Sequence, residues 1–354
     1  MSTAAASEPS SLERLRREVI SPGLCVACGA CLGLCPHLLF YDGRVAAPDT
    51  CTLADGRCYD LCPQVDPEGK RSRLLAEAGL EPDPPLGPVR EIWQARAIAA
   101  DLAGRVQYGG VVSALVALAL ESGLVGAAAL TAAGPGGSPR GVLARDRDEV
   151  LAAAGSIYAA GGSLSVLNQA LARPDEEEPL ALVGLPCQVL AAAAMRRHPA
   201  YPQAGRRLAL VIGLFCTWNL DARLLRHLLA QEGVEGPVER ADIPPPPAEV
   251  LRITTSQGDR DIPLERVRAC GLAGCTHCPD MTSELADISV GAREGRPGWN
   301  TVLVRTPAGA RLLDQAREQG LLELAPLEQE PLDHLRQAAA NKRARANHKE
   351  QGNG

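Results

Sequence analysis

Between residues 25 and 36 the chain reads Cys25-Val-Ala-Cys28-Gly-Ala-Cys31-Leu-Gly-Leu-Cys35-Pro36, a C-x2-C-x2-C-x3-C-P run without a mismatch. A loop this tight wraps three thiolates around one face of a cubic iron-sulfur cluster, and the turn at the proline carries the fourth to a second cluster. Zinc takes paired C-x2-C knuckles and four ligands, so the run points to iron and sulfide. An imperfect repeat follows, Cys51-Thr-Leu-Ala-Asp-Gly-Arg-Cys58-Tyr-Asp-Leu-Cys62-Pro63, one residue longer and with Ala54 where a further cysteine is expected. Crossed ligation then assigns Cys25, Cys28, Cys31 and Cys62 to one 4Fe-4S cluster. Cys35, Cys51 and Cys58 remain as three ligands for a second, expected as 3Fe-4S or with a non-cysteine ligand such as Asp55. A partly structural role for that triplet stays open.

Twelve cysteines in 354 residues are too dilute for a disulfide scaffold and too clustered for scattered core thiols. The formal net charge of -6 and an aromatic content of 3% offer neither a basic field nor stacking platforms, so nucleic acid is not an expected partner. No apolar signal segment is readable near the start, and the longest apolar run, Val111 to Leu120, is halted by Glu121, too short for a membrane span. The chain is expected to be soluble, cytoplasmic and held in a reducing compartment.

The pattern divides into a ferredoxin-like 4Fe-4S module over 18–66 and a Pro-rich linker over 67–90, read as an extended tether. A mixed α/β body follows over 91–178 and 179–340, and a basic tail over 341–354 is read as a solvated end. Within the body, Gly109 to Gly123 reads as a helix start and helix, Ala127 to Leu130 as a strand, and 148–154 and 164–172 as helices. Leu180 to Gly184 and Leu208 to Phe215 are continuous apolar runs that suit buried strands. Val250 to Pro263 reads as a hairpin, Pro244 to Pro247 as a rigid loop, and the Gly-rich stretch Gly134 to Pro139 as a turn and not a dinucleotide fingerprint.

Cys187 and Cys216 follow the two buried strands and precede helical patterns. Strand C-ends and helix N-termini form the ligand crevice of open α/β sheets and favour anionic ligands. With Cys275-Thr-His-Cys278 they make a possible closed 4Fe-4S set of Cys187, Cys216, Cys275 and Cys278. Cys270 is then spare and His277 is read as a surface or neighbouring residue. Zinc or buried free thiols remain the alternatives.

A resemblance rests on Gly109-Gly110-Val-Val-Ser113-Ala-Leu115, Gly184-Leu-Pro-Cys187-Gln188, Ile212-Gly-Leu-Phe-Cys216 and Gly274-Cys275-Thr-His-Cys278-Pro-Asp280. It continues through Ala286-Asp287-Ile-Ser289-Val-Gly291 and Gly298-Trp299-Asn300-Thr301-Val-Leu-Val-Arg305-Thr306. In that order, over about Ile92 to Gln319, the chain resembles the family of coenzyme F420 hydrogenase/dehydrogenase beta subunits, with a ferredoxin segment ahead as in several members. The resemblance implies FAD and iron-sulfur clusters, with Cys187, Cys216, Cys275 and Cys278 holding the cluster nearest the flavin. It also implies Gly109, Gly110, Ser113 and Tyr158 beside the FAD. The alternative for the glycines is a helix start packed tightly on a strand. Members commonly read Gly-Ser-Lys-Tyr where this chain has Gly155-Ser156-Ile157-Tyr158, a departure that bears on deazaflavin specificity.

The resemblance implies an oxidoreductase subunit that exchanges electrons between 4Fe-4S clusters and a hydride carrier of the coenzyme F420 type through FAD. Its expected partners are hydrogenase, formate dehydrogenase or heterodisulfide-reductase-like subunits, or ferredoxin. A ferredoxin-dependent reductase of a chlorophyll-type ring and a flavin-free electron-transfer adaptor are the alternatives. No acid, base or nucleophile constellation identifies catalytic residues.

Overall fold

The computed structural model describes residues 8–78, 82–83, 85–102, 104–134, 138–173, 176–245 and 248–351. Its centre is an eight-stranded mixed sheet. The strands are β1 (Glu91–Ala97), β2 (Ala127–Ala133), β3 (Pro139–Ala144), β4 (Leu180–Gly184), β5 (Leu208–Leu214), β6 (Ile288–Ala292), β7 (Asn300–Val304) and β8 (Leu322–Pro326). They lie in the order β8-β1-β7-β6-β5-β4-β2-β3. The middle strands β6, β5, β4 and β2 pair in parallel, and the flanking strands pair antiparallel. Parallel strands are covered on both faces, which is why β4 and β5 read as nearly unbroken apolar runs.

Six helices cover this sheet or flank the cysteine groups: α1 (Pro67–Ala78), α2 (Val111–Glu121), α3 (Leu164–Leu171), α4 (Pro186–Arg197), α5 (Pro307–Glu318) and α6 (Gln329–Gln351). On one face of the sheet, Leu115 and Leu118 of α2 and Leu312 and Leu313 of α5 pack on Ala95, Ile212, Ile288 and Val304. On the other face, Leu164 and Leu167 of α3 and Val189 and Met195 of α4 pack on Ala127, Leu182 and Val211. Each fully buried side chain of this size contributes about 1.5–3 kcal/mol, so the two layers fix the strand ends that carry Cys187 and Cys216. The expected hairpin is present as Val250–Thr255 and Gly258–Pro263, with Arg240–Asp242 added as a third strand. Within the Gly134–Pro139 and Pro244–Pro247 loops, residues 135–137 and 246–247 lie outside the described residues.

The segment ahead of the sheet has a small core of Leu12, Leu15, Val19, Leu32, Leu38 and Val45, against which Cys25, Cys31, Cys35, Cys51 and Cys62 pack. It is not held at a distance. Gly162 N donates to Ala27 O at 3.0 Å, and Asn168 of α3 donates to Ala30 O and Leu32 O at 2.9 and 2.8 Å. Arg44 pairs with the buried Asp221 at 2.9 Å.

Two expectations are corrected here. The stretch read as an extended linker is helical over Pro67–Ala78, because Pro67 sits where a helix tolerates proline and good helix formers follow it. Further on, Leu86 is fully buried, and Leu86 O and Pro88 O accept hydrogen bonds from the buried guanidinium of Arg305 at 2.9 and 2.7 Å. The basic tail is not a solvated end over its described part: it continues α6, and Lys342 and Ala346 are buried.

Candidate functional site

The N-terminal cysteine loop turns on left-handed backbone at Ala27, Gly29 and Gly33. Successive turns of this kind point amide N–H groups into a concavity suited to anions. Cys25, Cys28, Cys31 and Cys62 line one cavity, whose other walls include Leu15, Val19, Ile20, Val26, Val45 and Gln64. Burial, followed by the neighbouring Cys28, Cys62 and Cys25 thiols, holds the Cys31 thiol well above its ordinary range. Cys62 is pushed up to about 11 by burial, against amide hydrogen bonds from Gln64 and Val65 that favour the thiolate. These are the four residues that crossed ligation groups together.

The remaining three also meet. The Cys58 thiol is raised to about 11 by burial and then by Cys35 and Cys51. Ser11 fixes the loop between Cys51 and Cys58: its Oγ donates to Ala54 O at 2.5 Å and accepts from Gly56 N at 2.6 Å. Asp55 is exposed on that loop and makes no hydrogen bond among the described residues.

In the body, Cys187 occupies the first turn of α4 directly after β4, with Pro186 opening the helix and Gln188 Oε1 accepting from Leu185 N at 2.9 Å. Cys216 follows β5 and is fixed by its amide, which donates to Met281 O at 2.9 Å. Cys275 lies in the short 3-10 turn Ala273–His277 and Cys278 directly follows it, and Asn219 N donates to the Cys275 thiol at 3.4 Å. Burial raises the Cys187 thiol well above its ordinary range, and the next causes are Cys28, Cys278, Cys216 and Cys275. Cys216 is pushed up to about 12, chiefly by burial. Cys270 stands apart, packed with Leu220, Leu228, Leu251 and Val267. His277 bonds only its neighbour, Thr276 Oγ1, through Nδ1 among the described residues.

The two cysteine groups share a wall. Cys28, Cys187 and Cys275 pack on one buried patch of Val26, Ala27, Ala160 and Leu272. Gly274 makes this approach possible, since a Cβ there would collide with Leu24 O. Sequence reading missed the polar side chains around this wall. Gln188 Nε2 donates to Ser163 Oγ at 2.6 Å and to Cys28 O at 3.4 Å. Gln64 lines both the N-terminal cavity and a second one bounded by Cys187, Cys278 and Asp280, and its Oε1 has no hydrogen-bond partner among the described residues. Buried Asp280 accepts from the amides of Thr282, Ser283 and Glu284 at 2.8–2.9 Å. No periodicity marks such residues, because each is defined by what the fold brings to it.

Gly109 and Gly110 lie at the start of α2, on the sheet edge where the parallel strands end. A Cβ at Gly109 would stand 2.6 Å from Asn300 Oδ1 and 2.8 Å from Ala95 O, so tight packing on β1 and β7 is present there. Gly110 is left-handed and gives α2 no side-chain cap, and the half-buried Ser113 makes no hydrogen bond among the described residues. Tyr158 accepts from Ile243 N at 2.9 Å through its hydroxyl, beside Tyr108, whose hydroxyl donates to Asp242 Oδ1 at 2.6 Å. Burial leads in raising the phenol of Tyr158. From Tyr158 the backbone runs directly to the cysteines: Leu220 N donates to Tyr158 O at 2.8 Å, and the adjacent Asn219 amide meets Cys275.

Among the described residues no helix is long and apolar enough to cross a membrane. Compared with known proteins, residues 92–168 match the family described as coenzyme F420 hydrogenase/dehydrogenase, beta subunit N-term, and residues 177–330 match its C terminus counterpart. The coenzyme F420 hydrogenase subunit beta of Methanothermobacter thermautotrophicus is 32% identical over 253 residues, covering 69% of this chain and 87% of that protein. The coenzyme F420 hydrogenase subunit beta of Methanosarcina barkeri is 30% identical over 272 residues, covering 73% of this chain and 90% of that protein. A chain in the solved F420-reducing NiFe hydrogenase complex from Methanosarcina barkeri superposes with a TM-score of 0.71 at 27% identity, covering 76% of this chain and 94% of that one. With both family segments matched and the fold shared with the solved hydrogenase subunit, the chain belongs to the family of coenzyme F420 hydrogenase/dehydrogenase beta subunits.

Proposed function

We propose that this protein is an iron-sulfur flavoprotein subunit of an oxidoreductase complex, exchanging electrons between 4Fe-4S clusters and a hydride carrier of the coenzyme F420 type. The observation that carries the reading is the shared wall between Cys28 and Cys187, which sets two four-cysteine groups side by side. Cys25, Cys28, Cys31 and Cys62 would hold one cluster, and Cys187, Cys216, Cys275 and Cys278 the next. The donor set supports this: all eight are free thiols, and apolar side chains dominate the other walls of the N-terminal cavity. Cys35, Cys51 and Cys58 would hold a third, three-thiol centre.

Clusters supply single-electron exchange, and FAD, when bound, links one-electron to two-electron chemistry. The residues of this chain bind, orient and exclude water. The start of α2, where Gly110 supplies no side-chain cap and Val111 N donates to Asn300 Oδ1 at 3.3 Å, would offer its other first-turn amides to an anionic group of the flavin nucleotide, with Gly110 and Ser113 at its edge. Tyr158 is held by Ile243 N, and its own carbonyl accepts from Leu220 N, beside the Asn219 amide that donates to the Cys275 thiol. Ile157 provides no cation where family members commonly have lysine, so the carrier is bound without that charge.

The partners proposed are hydrogenase, formate dehydrogenase or heterodisulfide-reductase-like subunits, or ferredoxin, because relatives are subunits of F420-linked enzymes. Anaerobic purification with iron, sulfide and flavin analysis, followed by reduction assays with F420, NAD, NADP and ferredoxin, tests the reading. Clusters, FAD and F420 turnover support it. Clusters without FAD would make the chain an electron-transfer adaptor, and a flavin-loaded complex inert to F420 would reject the deazaflavin carrier.

A further inference from the structure

Two buried lysines, neither in a segment matched by the family, each touch the backbone of a cysteine in one of the two adjacent groups. Lys70 on α1 is 5% exposed, and its Nζ donates to Cys62 O at 2.5 Å. Lys342 on α6 is 3% exposed, and its Nζ donates to Cys216 O at 2.6 Å. An ammonium has three donors and a full charge, and a carbonyl satisfies one donor without neutralising the charge. Burial of such a group is costly unless an anion accompanies it.

The protein's own carboxylates do not fill that role. Among the described residues neither lysine has an ion-pair partner within 4.0 Å. The carboxylate acting on Lys342 is Asp280, which is occupied by three amides, and Glu284 is taken by Arg71 at 2.7 Å and Arg343 at 2.5 Å. Near Lys70, Asp66 is turned to the amide of Gly69 at 3.0 Å, and Asp60 is exposed. Asp60 and Asp66 act on Lys70, and Asp280 on Lys342, without an ion-pair contact, so the anions nearest these ammonium groups once a cluster is bound would be the thiolates of Cys62 on one side and of Cys216, Cys275 and Cys278 on the other.

We infer that Lys70 and Lys342 are positioning residues that act as fixed counter-charges, each raising the reduction potential of the cysteine-bound cluster beside it. This rests on the cluster reading above. A four-iron core takes up one electron at iron and becomes more negative by one charge, with the four thiolates unchanged. A nearby fixed cation therefore stabilises the reduced form more than the oxidised form, and net charge and hydrogen bonding are among the factors that set such potentials. Placing one cation at each of two neighbouring clusters raises both potentials in the same direction.

The test is an EPR-monitored redox titration of the full chain, anaerobically loaded with iron and sulfide. Lys342→Met is expected to lower the midpoint of one cluster by at least a tenfold change in its oxidised-to-reduced ratio, about 59 mV for a one-electron couple. Lys70→Met is expected to lower the midpoint of the other cluster, and Lys342→Arg to stay near wild type. Lys342→Gln keeps a donor without the charge and should follow Lys342→Met. Loss of the cluster from the Met and Gln variants but not from Arg supports the counter-charge equally. Unchanged midpoints in the Met variants, equal shifts in Met and Arg, or cluster loss in all three Lys342 variants overturn it. Wild-type protein without cluster iron and sulfide would instead reject the underlying cluster reading.

Discussion

Cys28 and Cys187 come from opposite sides of the chain's main boundary, 159 positions apart, yet both pack on Val26, Ala27, Ala160 and Leu272. One belongs to the N-terminal cysteine loop and the other to the first turn of the helix after β4. The hydrogen bond from Gln188 Nε2 to Cys28 O ties the two elements at this contact.

Replacing one cysteine from each group separates them. Cys28→Ala and Cys187→Ala are each expected to lower iron by about four per chain, with different EPR signals lost. Cys270→Ala, in the hydrophobic cluster with Leu220 and Val267, is expected to leave iron content unchanged. Equal iron in Cys187→Ala and wild type would rule out the inner cluster.

At the proposed three-thiol centre of Cys35, Cys51 and Cys58, Ala54 stands where the repeat lacks a cysteine, on a loop fixed by Ser11. Ala54→Cys is expected to add about one iron per chain and to replace a three-iron EPR signal with a four-iron one. A spectrum identical to wild type would show that the loop does not bring position 54 to the centre.

Arg305 is fully buried and donates to Leu86 O, Pro88 O, Thr282 O, Thr282 Oγ1 and Ser289 Oγ. Burial pulls it down to about 10, and Asp280 and Glu284 oppose that. Arg305→Met leaves several buried acceptors without donors and is expected to cost about 3–5 kcal/mol in denaturant unfolding. A loss below about 1 kcal/mol would mean that residues 86–88 are held by packing alone.

The thiols make the metal-free chain sensitive to alkali. Their ordinary value is 9.0, and in the fold Cys58 and Cys62 lie near 11 and Cys216 near 12, with burial the leading cause for each. A thiol raised in the fold stabilises the folded state fully below the unfolded value, and that contribution is lost as pH rises through the folded one. Metal-free protein is therefore expected to lose stability from about pH 9 towards about pH 12. Cluster-loaded protein, whose thiols have already given up their protons, should show a flatter profile in the same unfolding measurement. Parallel profiles would contradict this.

The cysteine spacings made the N-terminal grouping legible, because short-range ligand spacing survives in sequence whatever the surrounding fold. Apolar runs gave β4 and β5, and hence the positions of Cys187 and Cys216 at strand ends. Proline content misled at Pro67–Ala78, where a proline at a helix start is favourable and the residues behind it are good helix formers. Charge content misled at the C-terminal end: α6 carries a basic sequence, but Lys342 turns inward to Cys216 while its neighbours bind Glu284 and Thr217. Burial of a charged side chain is a property of tertiary neighbours, which local composition does not encode.

The most direct test of adjacent clusters is iron and sulfide analysis of the anaerobically purified chain, combined with EPR of the fully reduced protein. Two neighbouring clusters require at least about eight irons per chain and signals broadened by coupling between them, with the coupling lost in Cys187→Ala. About four irons per chain, stoichiometric zinc, or two magnetically independent clusters would contradict that arrangement.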